Sequence, residues 1–176
     1  MTTIRQDRAD WDLKELLPSI PSEGIQILER YIADFYPHKS EYPYHDSHHP
    51  FEVLDSAIQI INRCEEQGIK VDRTVVVLGA LLHDLLFHLD PDIFNQPDIA
   101  TREDVAAFVS KGILKRIGVP EDVIEKVSSV ILATHPDGSL DTVEAKVLRA
   151  ADLARLLEPY DIVRNATERL FVEYKI

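Results

Sequence analysis

The segment that decides the fold is Val75–His88, which reads VVVLGALLHDLLFH. Its apolar run is longer than an ordinary strand and suits a helix that is buried on most of its sides. No other segment of the sequence is a strand candidate that could pair with it. Elsewhere, apolar residues recur with the period of a helix between Gly and Pro breaks. The sequence therefore predicts an all-α fold.

Capping and breaking residues predict seven helices and one longer connection. The expected helices run from a cap at Ser22 to a stop at Pro37; from Pro50 to Gly68; from Arg73 to about His88, capped by Asp72; from a Thr101–Asp104 capping box to Gly118; from Pro120 through Ile131; from a cap at Asp141 through Leu153; and from Tyr160 to Tyr174. Residues 89–100 are predicted to be a loop with at most one short turn, acting either as a lid over a site or as a plain connector.

Length and charge limit the classes of function. A chain of 176 residues is expected to form one domain, 1–176, with its core at about 22–157. Lys and Arg number 19 against 31 Asp and Glu, and the resulting net charge of −12 argues against general nucleic-acid binding. A small phosphorylated substrate stays compatible with this charge, because a bound metal ion can reverse the local field.

Cysteine usage and the N-terminal residues predict a cytoplasmic protein without membrane contact. Cys64 is the only cysteine, so no intramolecular disulfide can form, as expected in a reducing compartment. Residues 1–7 lack the apolar core of a signal peptide, and no segment approaches the length of a membrane span.

The adjacent His83 and Asp84 inside the apolar run are costly to bury without partners. A structural hydrogen bond would satisfy them, and so would a divalent metal ion. His49 upstream and Asp152 downstream are further candidate ligands, each on a segment predicted to be a core helix. Imidazole and carboxylate ligands suit manganese, iron, nickel, cobalt or zinc, and magnesium less well. Four protein ligands without cysteine would leave positions open for water, which is typical of a catalytic site.

The order His, His-Asp, Asp resembles the HD superfamily of metal-dependent phosphohydrolases. Tyr44–His49, YHDSHH, is similar to the Tyr-His-Asn-x-x-His motif of its small bacterial members and of cyclic-nucleotide phosphodiesterases. The stretches 82–84 (LHD), 131–135 (ILATH) and 149–153 (RAADL) are similar to that group too, so the resemblance extends from about Glu41 to Leu157. It implies a single-domain helical bundle of the HD type.

The resemblance also implies roles for individual residues. His49, His83, Asp84 and Asp152 become the metal ligands, with Asp84 also counted as catalytic, and His45 lies where the motif has its general acid. The metal would lower the pKa of a water molecule and polarise the phosphoryl group. Asp46 departs from the pattern by replacing Asn. Four more residues are candidates for a second metal or for substrate phosphate: His88, His135, Arg149 and Arg155.

The expected function is therefore a metal-dependent phosphohydrolase acting on a phosphate mono- or diester of a small molecule, with nucleotides among the candidates. One alternative is a di-metal oxygenase of the same superfamily, which would need His88 and His135 at a second metal. Another is a non-catalytic metal- or nucleotide-sensing or partner-binding module. The apolar C-terminal residues 171–176 would also suit a homodimer face.

Overall fold

The computed structural model describes residues 11–36 and 42–174, and within them the chain forms eight α-helices, two short 3₁₀ helices and no strand. This confirms the all-α prediction. The α-helices are α1 (Leu13–Leu16), α2 (Ser22–Phe35), α3 (His49–Glu66), α4 (Arg73–Leu82), α5 (Arg102–Arg116), α6 (Glu121–Leu132), α7 (Val143–Asp152) and α8 (Tyr160–Tyr174). The 3₁₀ helices are Pro91–Phe94 and Leu153–Leu157. Pro37, the predicted stop of the first long helix, and residues 1–7 lie outside the described residues.

Helix α4 lies at the centre of the bundle, as its apolar run predicts. Its residues from Val75 to Leu82 are all buried, and it packs against α3, α6 and α7. Gly79 allows this close packing, because a Cβ there would lie 3.0 Å from side-chain carbons of both Val130 and Leu148. The central helix is therefore fixed on three sides, and its C-terminal end is held in a defined place.

The prediction that this helix continues to His88 is wrong. Helix α4 ends at Leu82, and the following residues form turns. Leu86 has a positive φ of 60°, which a right-handed helix cannot accommodate. Its backbone N–H instead donates to the backbone oxygen of Phe35 at 3.2 Å. Because α4 ends at Leu82, His83 and Asp84 lie just beyond the helix end.

Two other predicted helix starts need correction. Thr142, and not Asp141, caps α7, because its side chain accepts a hydrogen bond from the backbone N–H of Ala145 at 3.1 Å. Ser22 is the first residue of α2 rather than its cap, a position that Pro21 occupies without a side-chain bond. The predicted capping box of Thr101 with Asp104 is present.

The remaining differences are small and concern short elements. Helix α1 was not predicted, since four residues carry no periodic pattern. The connection 89–100 contains one short 3₁₀ helix, as predicted. Gly68 and Gly118 follow α3 and α5 with positive φ, as expected of residues that end helices.

None of the described helices combines the length and the apolar character needed to cross a lipid bilayer.

Candidate metal centre

The ends of three helices meet at one point and bring four predicted ligands together. His49 is the first residue of α3, His83 and Asp84 directly follow α4, and Asp152 is the last residue of α7. Asp152 ends its helix because the chain changes there to the 3₁₀ helix Leu153–Leu157. A side chain at a helix end can extend beyond the last turn, so the ligands from three helix ends can surround one metal-sized space.

The four ligand atoms are spaced as ligands of one ion would be. The Nε2 atom of His83 lies 3.1 Å from Asp84 Oδ2 and 3.3 Å from His49 Nε2, and His49 Nε2 lies 3.2 Å from the same Asp84 oxygen. Asp152 Oδ1 is 3.4 Å from His83 Nε2 and 3.5 Å from His49 Nε2. Ligands bonded at about 2.0–2.2 Å to one centre are held about 3–3.5 Å apart, as they are here.

The hydrogen bond on the far side of His83 determines which nitrogen faces the cluster. Its Nδ1 lies 3.0 Å from the backbone oxygen of Ala80, and that oxygen can only accept, so Nδ1 carries the proton. In the neutral ring, Nε2 then presents a lone pair to His49 and the two carboxylates. Such an outer hydrogen bond is the usual way in which proteins orient a metal-binding imidazole.

The charges at the cluster are strongly coupled. Burial opposes the charged form of His83, but the neighbouring Asp84 and Asp152 outweigh it and raise the pKa of His83 well above its usual value. Burial likewise opposes ionisation of Asp84, yet His83 and His49 hold the pKa of Asp84 well below its usual range. The carboxylates therefore stay ionised and favour a positive charge between the rings. A divalent ion would supply that charge and would have to compete with protons for the imidazoles.

The centre opens to solvent on its carboxylate side. The side chains of His83 and His49 are 1% and 3% exposed, whereas those of Asp84 and Asp152 are 14% and 23% exposed. An ion bound here would be reached through the gap beside the two carboxylates. Water and a substrate oxygen could occupy coordination positions on that side.

His45 lies beside the four ligands and is held by a residue that the sequence did not indicate. Its Nε2 is 3.8 Å from Asp84 Oδ2, and its Nδ1 is 2.5 Å from Glu173 Oε2. The other oxygen of Glu173 accepts the backbone N–H groups of His45 and Tyr44, at 2.7 and 2.5 Å. Glu173 comes from α8 and its side chain is only 1% exposed. It fixes His45 with Nε2 directed to the centre.

The electrostatics of Glu173 agree with this role. Burial raises the pKa of a carboxyl group, but the hydrogen bonds and charge of His45 more than offset it, so the pKa of Glu173 is lowered. Glu173 is therefore ionised at neutral pH. His45, His49 and Asp84 also lie close enough together to share an ion, which places His45 at the edge of the same centre.

The predicted second set of site residues is not assembled at the cluster. Among the described residues, neither His88 nor His135 joins a group of three potential metal ligands. Arg149 donates to the backbone oxygens of Ala133 and His135, so it ties the end of α6 to α7. Arg155 pairs with Glu52 and lies 5.9 Å from the ring of Tyr44, at the margin of the site.

The motif residue that departs from the family pattern has a structural task. Asp46 is 3% exposed, and its Oδ1 accepts the backbone N–H of His48 at 2.8 Å. The same oxygen lies 3.2 Å from Nδ1 of His48, whose side chain is 46% exposed. This turn leaves His48 exposed, whereas His49 is buried at the cluster.

Comparison with known proteins gives a family model and a related structure. The family model described as HD domain matches residues 47–154. A solved structure, the predicted HD superfamily hydrolase from an uncultured Thermotogales bacterium, is similar over 91% of each chain, with 22% identity and a TM-score of 0.55. At that identity the similarity shows the fold. No curated protein matches the chain. The matched segment contains all four clustered ligands and excludes both His45 and Glu173.

Proposed function

This chain belongs to the HD domain family, and on that premise we propose that it is a metal-dependent phosphohydrolase that cleaves a phosphate mono- or diester of a small molecule. The observation that carries the proposal is the cluster itself. Each of two imidazole nitrogens lies 3.1–3.5 Å from both carboxylate oxygens, and Nδ1 of His83 bonds to the backbone oxygen of Ala80, so its Nε2 faces the group. This arrangement suits a divalent cation with positions left for water and substrate.

His49, His83, Asp84 and Asp152 would hold the ion, since Nε2 of each imidazole lies within 3.5 Å of both carboxylates. When bound, a divalent cation makes a water molecule more acidic and reduces the negative charge of a phosphoryl group. The protein itself contributes a fixed geometry, because each ligand lies at the end of a packed helix. It also contributes two ionised carboxylates that attract a cation in a low-dielectric setting.

His45 is the proposed general acid. Its ring lies beside the centre, and Glu173 accepts from Nδ1, so Nε2 is the nitrogen available to a leaving-group oxygen. Phe87 stacks on the ring at a centroid distance of 3.7 Å and restricts its rotation. A held imidazole close to the reacting bond can donate a proton as the ester oxygen departs, which is a task suited to neutral pH.

The alternative functions receive less support. A di-metal oxygenase requires further ligands, and among the described residues His88 and His135 form no such group. A sensing or partner-binding module would use the same four ligands without turnover. An assay of phosphate-ester hydrolysis therefore distinguishes such a module from the proposed hydrolase.

The test is metal analysis of protein purified without chelators, followed by assays on phosphate mono- and diesters with added manganese, iron, nickel, cobalt, zinc or magnesium. We expect about one ion per chain and turnover of at least one ester class. His83→Ala should lose metal and activity together, while His135→Ala, which replaces an imidazole outside the cluster, should retain both. Full metal content without turnover of any ester would overturn the hydrolase and favour a sensing module.

A further inference from the structure

Arg102 occupies an unusual position next to the proposed general acid. Its guanidinium carbon lies 4.2 Å from the centroid of the Phe87 ring, and the ring of His45 lies 3.7 Å from the same centroid. Two groups this close to one ring cannot share a face, so they lie on opposite faces of Phe87. Arg102 is thus separated from the reaction site by the thickness of one aromatic ring.

Within the described part of the chain, Arg102 is held by aromatic groups. Its guanidinium lies 5.6 Å from the ring centroid of Tyr174, and Nη1 donates to the Tyr174 hydroxyl at 3.4 Å. Among residues 11–36 and 42–174, no carboxylate pairs with Arg102, whereas Arg73 and Lys111 each pair with a glutamate. A cation without a counter-ion in this part of the chain is notable, because the net charge of the whole chain is −12. Packing on aromatic faces leaves the guanidinium edges free to bind an anion.

An open cavity adjoins this arginine. It has a volume of about 480 Å³ and is formed by residues 88–91 and 100–102. Its other polar side chains include Asp90, which accepts from the backbone of Asp92, and Thr101, which is engaged with Asp104. Arg102 is therefore a charged donor at this cavity, and it has no acidic partner among the described residues.

Tyr174 can assist as a second donor. Burial raises the pKa of its hydroxyl, and although Arg102 acts in the opposite direction, the charges of Asp84 and Glu173 raise it again, so the pKa lies above its usual value. The hydroxyl therefore stays protonated at neutral pH. Tyr174 directly follows Glu173, whose carboxylate bonds to the ring of His45, and this places Tyr174 beside the site.

We propose that Arg102 and Tyr174 form a distal subsite for a second phosphate group of the substrate. The proposal rests on the proposed function, in which the metal centre holds the phosphate that reacts. A guanidinium binds phosphate through paired donors, and a tyrosine hydroxyl adds a third. Because Phe87 lies between Arg102 and His45, the two phosphates must be separated by a spacer such as a pentose ring. The preferred substrate class is then a bisphosphorylated sugar or nucleoside.

The test compares two probes that differ in one phosphate, adenosine 3′,5′-bisphosphate and adenosine 5′-monophosphate. Their affinities for the metal-loaded protein are measured by titration calorimetry, and hydrolysis is followed in the same samples. We expect the bisphosphate to bind at least about tenfold more tightly, as a charge-assisted contact provides. Arg102→Met should lower this affinity ratio about tenfold.

Arg116→Met is the matched control. Arg116 also belongs to α5, and it also donates to a tyrosine hydroxyl, that of Tyr31, at 3.4 Å. Unlike Arg102, it is exposed and contacts neither Phe87 nor Tyr174 among the described residues. The control should keep the ratio of the wild type. If Arg102→Met fails to fold, Tyr174→Phe removes only a hydroxyl and should lower the ratio in the same direction.

The outcomes separate this proposal from the proposed function. A wild type without preference for the bisphosphate, or a ratio that neither variant changes, overturns the subsite even when the protein hydrolyses esters. A preference that depends on Arg102 supports the subsite even when the protein hydrolyses no ester, a result that would overturn only the hydrolase.

Discussion

At the scale of single residues, His83 provides the most chemical information, because its two ring nitrogens have different partners. Nδ1 donates to the backbone oxygen of Ala80, and Nε2 meets His49, Asp84 and Asp152. The sequence indicates that a buried His-Asp pair needs a partner. It cannot indicate which nitrogen is engaged by the backbone, since that depends on the turn that follows α4.

His45 is predicted to act on the leaving group and not on metal binding. His45→Ala should retain the metal and lower turnover by ~10²–10⁴ for an ester with a poor leaving group. An ester of a good leaving group such as p-nitrophenol needs little proton donation, so its turnover should fall much less. Steady-state rates for both ester types, together with metal analysis, check this. Equal losses for the two esters, or loss of the metal, would remove His45 from the role of general acid.

Glu173 is predicted to stabilise the fold in a pH-dependent way. Its pKa is lowered in the folded protein, from a usual value of 4.5, through its bonds to His45. A lowered carboxyl pKa contributes stability that is complete above the unfolded pKa and is lost as the pH falls through the folded pKa. The melting temperature of Glu173→Gln should therefore lie below that of the wild type at neutral pH, and the difference should shrink below about pH 4.5.

Glu168→Gln is the control for this measurement, because Glu168 lies on the same helix with a side chain that is 66% exposed. It should change the melting temperature little at any pH. A deficit of Glu173→Gln that is constant from neutral to acidic pH would show that its carboxylate charge is not what stabilises the site.

The sequence predicted the candidate ligands and His45 but not Glu173. The ligands lie in short motifs whose order is informative by itself. Glu173 acts on His45 across a separation of 128 residues, and its own surroundings are those of an ordinary helix end. Only the packing of α8 against residues 43–45 creates the pair, so no local pattern could reveal it.

At the scale of the elements, the end of α4 shows why apolar periodicity predicts that a helix exists better than it predicts where the helix ends. Leu85 and Phe87 are buried although they lie in the turns after the helix, with exposed fractions of 0% and 7%. The apolar pattern therefore continues past Leu82 and extends the predicted helix by six residues. By contrast, the start of α5 was predicted correctly, because the capping box is itself a chemical signal for a helix end.

The close packing of α4 against α6 and α7 can be tested with one methyl group. In Gly79→Ala the new Cβ would lie 3.0 Å from side-chain carbons of both Val130 and Leu148, and these residues, 2% and 0% exposed, would have to shift within the core. We expect a loss of about 1–3 kcal/mol in the free energy of unfolding, as overpacking produces. Denaturant titration measures it.

Gly112→Ala provides the opposite sign on α5, where nothing lies within 4 Å of the added Cβ. Its free energy of unfolding should rise by about 0.5–1 kcal/mol, because alanine has a higher helix propensity than glycine. If Gly79→Ala also stabilised the protein, α4 would not be packed as tightly as described.

At the scale of the whole molecule, the metal centre links segments that are far apart in the chain. It joins the start of α3, the end of α4 and the end of α7, and these helices already pack against one another. A bound ion should therefore stabilise the folded state by mass action, by about 2.7 kcal/mol at a free metal concentration of 100 times Kd. Chelation should lower the melting temperature of the wild type and leave that of Asp152→Ala unchanged.

Anomalous X-ray scattering from crystals of the zinc-loaded protein would test the proposed metal centre directly. We predict one strong zinc peak about 2.0–2.2 Å from Nε2 of His49, Nε2 of His83 and a carboxylate oxygen each of Asp84 and Asp152. A zinc peak at other residues, or protein that binds zinc in solution while these four side chains lack it in the crystal, would contradict the account.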